Sequence, residues 1–371
     1  MGCRKAARTA LLLAALVCSC LSMRDTWVNV RIANLNILDG CRNDPDRLAR
    51  IREWIIEEDL DVLGLNELNG WDEAELARQG QSWGHPYSEF MQTQTEGGTH
   101  YSLGITSRSP IVPVHHHLDG FWHGALHVKL QAQATHANSN RSSNSGIIDN
   151  ELPGLSDDKP FVHVLVTHLN PSSAQDRMEE VKKLVQYVQG VENLILLGDL
   201  NSLSPIDAFF YEKMGAVDVL RSDPHLWKKF LLSDGSIDYG PITALYEVLV
   251  DVDYYSFLKK HEPFASHLSK YEQWTAPVFN SLFTAESLAE FETSQHMLSG
   301  AWEVVFEPSV PTPLNTDYSH ATKMRLDYAL VSKTVSSTHE IAVGYVVRNA
   351  RTAALSDHYP IVVQLRIAEH L

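Results

Sequence analysis

The chain is short of cysteine, short of positive charge and without a membrane-length apolar run, and each shortage excludes something. It carries 4 cysteines in 371 residues. Cys3, Cys18 and Cys20 fall in a segment that reads as a removable leader, which leaves Cys41 alone and no internal disulfide. Stability must then come from a core, and 44% hydrophobic residues over this length can supply one. No Cys/His set has zinc-site spacing. Lys and Arg number 30 against 46 Asp and Glu, for a formal net charge of -16. No broad basic surface is expected, and tight, sequence-independent binding to nucleic acid usually needs one. A nuclease is not excluded, because a metal and a few local cations can hold one scissile phosphate. The charge modestly favours a small or lipid-like substrate over tight duplex binding.

The leader reading rests on Arg4, Lys5 and Arg8, then the apolar stretch Thr9 to Val17, then small Ser19, Cys20 and Ser22. That stretch is too short to span a bilayer comfortably, so residues 1–22 read as a secretory signal peptide, with a membrane-proximal anchor as the competing reading. Export to the secretory pathway or outside is the expected localisation. Met1-Gly2-Cys3 lacks Ser or Thr at Ala6, so the acylation motif is incomplete.

Strand patterns follow at Trp27 to Ile37, Val62 to Glu67, Phe161 to Thr167, Leu194 to Leu197, Leu326 to Ser332, Ile341 to Val347 and Ile361 to Ile367. Thr99 to Thr106 and Ala125 to Leu130 are weaker strands. Asp44-Pro45 opens a helix, and Ala174 to Val188 forms another with Met178, Val181, Leu184, Val185 and Val188 on its inner face. No repeat of fixed period interrupts them. The interleaving predicts one α/β or α+β domain over 27–368. It carries a polar loop insertion at 136–160, with the sequon Asn140-Arg141-Ser142, and a helical, aromatic insertion at about 205–301.

Polar residues close these strands. Asn36 shares strand parity with Val28, Val30 and Ile32; Glu67 with Leu63 and Leu65; His168 with Val162, Val164 and Val166; Asp199 and Asn201 with Ile195 and Leu197; Asp327 with Ala329 and Val331. Asp357 and His358 precede Ile361-Val362-Val363. Such groups are costly beside a core unless a metal, partner or substrate compensates them. Hard oxygens from Asn, Glu and Asp suit Mg²⁺ or Mn²⁺, and two His with carboxylate partners suit proton transfer near neutral pH. The set points to metal-assisted attack of water on phosphorus.

These segments resemble the endonuclease/exonuclease/phosphatase superfamily, the deoxyribonuclease I-like fold. The resemblance runs from about Val28 to about Leu365 and is carried by Asn36-Ile37, Asn66-Glu67, Ser107-Arg108-Ser109-Pro110-Ile111, Thr167-His168-Leu169, Gly198-Asp199-Leu200-Asn201-Ser202, Arg325-Leu326-Asp327-Tyr328 and Ser356-Asp357-His358. It implies two packed mixed β-sheets flanked by helices, a four-layer sandwich. It further implies Glu67 as principal metal ligand assisted by Asn36, with Asp357 as a second metal or water ligand. Asp199 would orient or deprotonate the attacking water, and Asn201 would hold a phosphoryl oxygen. His358 would act at the phosphate, oriented by Asp327. His168 would bind the phosphate or protonate the leaving oxygen, and Arg108 would lie near the phosphate. Acid and base are not divided between the two His.

The implied activity is a Mg²⁺-dependent (or Mn²⁺-dependent) phosphodiesterase acting on nucleic acid or a phospholipid head group such as sphingomyelin. It is expected to act as a monomer with no obligate protein partner. The rival class is a catalytically silent binding protein on the same fold. Departures from the family pattern are Asn66 where Gln is common, no Arg after Asn201, and His168 where the abasic-site branch has Tyr. The missing Arg counts against the inositol-polyphosphate phosphatase branch. Asn201-Ser202-Leu203-Ser204-Pro205 is similar to deadenylase-like and secreted members.

Three features read as decoys. Gly80-Gln81-Ser82-Trp83-Gly84 matches a serine-hydrolase pattern but lacks the strand before it. His115-His116-His117 cannot converge on one metal if extended, and reads as an edge or loop. Asp251 and Asp253 read as a solvated face.

Overall fold

The computed structural model describes residues 27–93, 101–131, 161–208, 211, 215–252, 324–338, 340–347, 349 and 351–368. Residues 1–22, read above as a leader, residues 136–160 with the sequon, and Asp253, Tyr254, Tyr255, Phe257 and Trp274 lie outside them.

The apolar runs form strands β1 (Trp27–Asn36), β2 (Val62–Asn66), β3 (Tyr87–Met91), β4 (Leu103–Ser107), β5 (Ile111–His117), β6 (Ala125–Gln131), β7 (Phe161–His168), β8 (Leu194–Asp199), β9 (Leu249–Asp251), β10 (Asp327–Ser332), β11 (Glu340–Val346) and β12 (Ile361–Ala368). The helices are α1 (Pro45–Glu57), α2 (Glu73–Ser82), α3 (Ala174–Val188), α4 (Ala216–Ser222), α5 (Pro224–Phe230), α6 (Gly240–Tyr246) and α7 (Lys333–Thr338). α1 starts as its sequence dictates: Asp44 accepts from Arg47 N and Pro45 fills the first turn.

One sheet has the order β11-β12-β1-β2-β4-β3, the other β5-β6-β7-β8-β10-β9. Val28, Ile32, Ile105, Val164, Val166, Ile195, Leu197, Ala329 and Val363 fill the space between them. Outside the first sheet, Leu35, Leu63 and Leu65 pack on Ile51, Trp54 and Ile55 of α1 and Leu76 of α2. Outside the second, Leu165, Leu194 and Leu196 pack on Val181, Leu184 and Val188 of α3. The result is a helix–sheet–sheet–helix sandwich, as the resemblance implied.

Topology brings the polar strand ends to one rim. β1 and β2 are parallel with Asn36 opposite Asn66, and β7 and β8 are parallel with His168 opposite Asp199. β10 runs antiparallel to β8, so its first residue, Asp327, faces Asp199. β12 runs antiparallel to β1, with Ile361 opposite Asn34, so the loop before it carries Asp357 and His358 to the same rim. Asn66 stitches the sheets there: its Nδ2 donates to Thr167 O at 2.9 Å, and its Oδ1 accepts from Asn34 Nδ2 at 2.8 Å. The Asn at this position therefore has a local structural task.

Asp251 is not on a solvated face. It is 0% exposed, pairs with Arg325 at 2.9 Å and accepts from Tyr246 Oη at 2.6 Å. Asp207 holds the other side of the same guanidinium at 2.9 Å. A sequence shows an acid after an apolar strand, but not the buried cation that neutralises it. The histidine triplet lies on the edge strand β5, where His116 turns to Glu89 at 2.8 Å and the rings of His115 and His117 sit 4.1 Å apart. Ser82 ends a helix and donates to Gln79 O at 2.7 Å, so it is no nucleophile elbow.

Candidate active site

Asp199 is the hub of the rim. The Gly before it is required: Gly198 sits at φ 150°, and a Cβ there would lie 1.8 Å from Thr167 O. Asp199 Oδ1 accepts from Asn201 N at 2.9 Å. Its Oδ2 accepts from Asn36 Nδ2 at 3.3 Å and lies 3.4 Å from His168 Nε2 and 3.7 Å from His358 Nε2. One carboxylate oxygen thus gathers an amide and two imidazoles from both sheets. Asn201 stands at φ 48° and is anchored by Nδ2 to Leu169 O at 3.0 Å.

Glu67 arrives by a different route. Leu63 and Leu65, with which it shares parity, face the helices rather than the space between the sheets. The residue reaches the rim because its own φ of 61° breaks the strand alternation. The turn after β1 receives it. Leu38 and Asp39 are left-handed at φ 55° and 51°, and Arg47 of α1 donates to Ile37 O and Leu38 O at 3.0 Å each. Asp39 N then donates to Glu67 Oε2 at 3.0 Å, and Asn36 Nδ2 to Oε1 at 2.9 Å. Burial pushes the Glu67 carboxyl up to about 7, Asn36 and Asp39 oppose this, and the charge of Asp357 adds to it. Hard oxygens from Glu67 and Asp357 fit a divalent cation of the Mg²⁺ or Mn²⁺ kind, whereas Asn36 turns its Nδ2 to Glu67 and accepts from Leu38 N at 3.0 Å through Oδ1, so its amide would have to rotate to offer an oxygen. Asp199, Asp327 and His358 also offer three ligand atoms within 4.8 Å of one another. The hydrogen bond inside that trio suits it to moving a proton.

That bond joins His358 Nδ1 to Asp327 Oδ2 at 2.6 Å. Burial opposes a charge on His358, but Asp327, Asp199 and Asp357 prevail and hold its pKa well above the ordinary histidine value. His168 is the opposite case: burial, then the charges of His358 and Lys229, push its pKa well below that value. The two imidazoles flank one carboxylate in different protonation states, an arrangement that separates a proton donor from a neutral partner.

Glu67, His168, Asp199, Asn201, Asp357 and His358 line one cavity of about 390 Å³. Arg108 is not among them. It follows β4, beside Asp61 at the far end of β2 from Glu67, and pairs with Asp59 at 2.6 Å and Asp61 at 3.4 Å. The antiparallel pairing of β2 with β4 puts it at the wrong rim, so its expected place near the phosphate is corrected.

The remaining walls were not foreseen. Tyr101, Trp122, His123, His225, Leu226, Lys229 and Phe230 also line the cavity. His123 is 1% exposed and its ring centroid lies 4.0 Å from that of His168. Burial pushes the Lys229 ammonium down to about 8, against the pull of Asp199. Two buried polar residues of α3 tie these walls together. Glu180 accepts from Trp122 N at 2.5 Å and Asn170 N at 2.7 Å, while Arg177 donates to Asn170 O at 2.7 Å and to Lys229 O. Neither belongs to the apolar stripe of α3. Its i, i+3 spacing on the buried side was the one available signal.

A model described as Endonuclease/Exonuclease/phosphatase family matches residues 33–358. No curated protein matches the chain. Among solved structures, an AP endonuclease from Archaeoglobus fulgidus is similar at 16% identity and TM-score 0.50, over 90% of this chain and 98% of that one. An endonuclease/exonuclease/phosphatase from Beutenbergia cavernae aligns at 18% identity and TM-score 0.49, over 92% and 72%. The 3′ phosphatase NExo from Neisseria, bound to a product DNA hairpin, aligns at 15% and 0.48, over 90% and 98%. At such identities the likeness is one of fold.

Proposed function

The chain belongs to the endonuclease/exonuclease/phosphatase family, and from that premise we propose that it is a Mg²⁺-dependent phosphoric ester hydrolase of the phosphodiesterase or nuclease type. The observation that carries the reading is the gathering of Glu67, Asp199, Asn201, His168 and the Asp327–His358 pair around one cavity. Glu67, Asn36 and Asp357 would hold the metal, with Mn²⁺ as a substitute. When bound, it supplies Lewis-acid polarisation of a phosphoryl oxygen. Asp199, fixed by Asn201 N and Asn36, orients the attacking water. Asn201 steadies a phosphoryl oxygen. His358, charged through Asp327, and the neutral His168 hold and move the proton on either side of the phosphorus.

The substrate is a phosphodiester carried by nucleic acid or a phospholipid head group. A cavity of about 390 Å³ walled by Tyr101, Trp122 and Phe230 suits one nucleotide or one head group more than a wrapped duplex, in keeping with the net charge of -16. The leader-like pattern of residues 1–22 supports action in the secretory lumen or outside the cell.

The test is hydrolysis by the purified protein of single-stranded DNA, duplex DNA, RNA, sphingomyelin and phosphoinositides, with Mg²⁺ or with EDTA. One class should be cleaved with Mg²⁺ only, and His358→Ala should slow it by about 10²-fold or more. Silence across all five, or an unchanged rate in the variant, refutes the reading.

A further inference from the structure

We propose that Lys229, delivered by the helical segment after β8, is the cation that binds the substrate's phosphate. This rests on the phosphoric-ester reading above and gives the insertion a role in it. Lys229 sits on α5, outside the two sheets, yet lines the same cavity as Glu67, Asp199, Asn201, Asp357 and His358. Among the described residues its ammonium forms no ion pair; its one contact is with the Phe230 ring, 5.0 Å from the centroid. The charges of Asp199, Glu67 and Asp357 act on it favourably and that of Arg177 against it.

A half-buried ammonium held in this way is expensive, and a phosphate oxygen is the partner that suits it in charge and shape. The position is also built. Arg177, 1% exposed, grips the main-chain oxygen of Lys229, so the cation is fixed at its root. The same guanidinium grips Asn170 O, two residues after His168, which sets the cation against the catalytic rim. Behind His168, His123, 1% exposed and stacked 4.0 Å from it, offers a second buried polar face to the cavity. The rim itself is crowded with carboxylates that repel an anion. Arg108, the arginine expected near the phosphate, is at the other end of β4. Lys229 fills that need from a different element.

The experiment has two arms on the full chain with Mg²⁺ present. Inorganic phosphate is titrated calorimetrically into wild type, Lys229→Met and Lys229→Arg. Turnover of bis-para-nitrophenyl phosphate is measured for the same proteins. Phosphate should bind wild type, weaken by about tenfold or more in the Met variant and largely recover in the Arg variant. kcat/KM should fall by about 10²-fold in Lys229→Met, as for loss of one preorganised donor to the reacting oxygens. Lys229→Gln replaces the Met variant if the latter does not fold. Equal phosphate binding by wild type and a folded neutral variant, or none by wild type, overturns the proposal. If wild type turns over no ester while phosphate binding still depends on Lys229, the hydrolase reading falls and the phosphate site stands. If wild type is active and the neutral variant equally so, the reverse holds.

Discussion

Asp327→Asn isolates the charge behind His358 with little change of shape. Asp327 is 1% exposed and meets His358 Nδ1 at 2.6 Å. Two unit charges about 4 Å apart at an effective dielectric of about 20 interact by about 4 kcal/mol, and a neutral amide forfeits most of that. At about 1.4 kcal/mol per decade, the upper limit is about 10³-fold in kcat/KM. Asp199 stays 3.7 Å from His358 Nε2 and keeps part of the imidazolium, so a loss of about 10²-fold is expected. The limb of the pH–rate profile governed by His358 should move to lower pH, because Asp327 is the main charge holding that pKa up. The stability effect has its own sign. A histidine with a raised folded pKa contributes stability that is complete below its unfolded value of about 6.5 and lost as pH rises through the folded value. The Asn variant should therefore lose most stability in mildly acidic buffer. In a double-mutant cycle Asp327→Asn should cost almost nothing in a His358→Ala background. Independent, multiplicative losses, or an unmoved pH limb, refute the paired role.

Two further predictions follow from the same geometry. Mg²⁺ should raise the thermal midpoint of wild type more strongly as pH rises through about 7, where the Glu67 carboxyl releases its proton, and Glu67→Gln should abolish that response in calorimetry. A response retained by the variant removes Glu67 from the metal site. Arg108→Ala should leave kcat/KM within about twofold and cost about 1 kcal/mol in urea unfolding, since Asp59, its closer carboxylate partner at 2.6 Å, is exposed at the far rim. A tenfold loss of activity would restore it to the site.

The strands of the two sheets were legible where apolar residues run unbroken. Ala174–Val188 came out as the helix the periodicity predicts, and Leu194 to Leu197 falls short of its strand only by Gly198 and Asp199. Tyr87–Met91, Ile111–His117 and Leu249–Asp251 were not legible as strands. The first lies at a sheet edge and is mostly half-buried, the second is largely exposed, and the third has three residues. Their pairing with neighbours makes them strands, and a single sequence carries no trace of a neighbour.

Parity located Asn36, His168, Asp199 and Asp327, since each lies within a strand whose companions face the other sheet. It placed Glu67 with Leu63 and Leu65, whose face turns away, and only a left-handed φ returns it to the rim. Alternation holds inside strands and fails one residue past them, where this family's motif carries an acid. Lys229 and His123 lay beyond any such rule. They sit on a short helix and a loop, and tertiary anchors on Arg177 and Glu180 bring them in.

The charge balance of the cavity argues for one divalent ion. Four carboxylates stand at the rim: Glu67, Asp199 and Asp357 line the cavity and Asp327 backs His358. Among the described residues that line the cavity, Lys229 and His358, whose pKa is held up, are the positive groups facing them. The formal sum is four negative charges against two positive, a deficit of two. The protein alone meets that deficit in part by keeping a proton near Glu67, whose carboxyl burial raises to about 7. A single divalent cation held by these residues would cancel that deficit and displace the proton. The described rim would then be neutral toward an anionic ester, leaving Lys229 to meet the phosphate. Two such ions would leave a surplus of two positive charges, which this set of residues does not offset. Titration of the metal-free protein with Mn²⁺ should accordingly saturate at one ion per chain, with uptake coupled to proton release near neutral pH. A stoichiometry of two would show that the balance includes acidic groups outside the described rim.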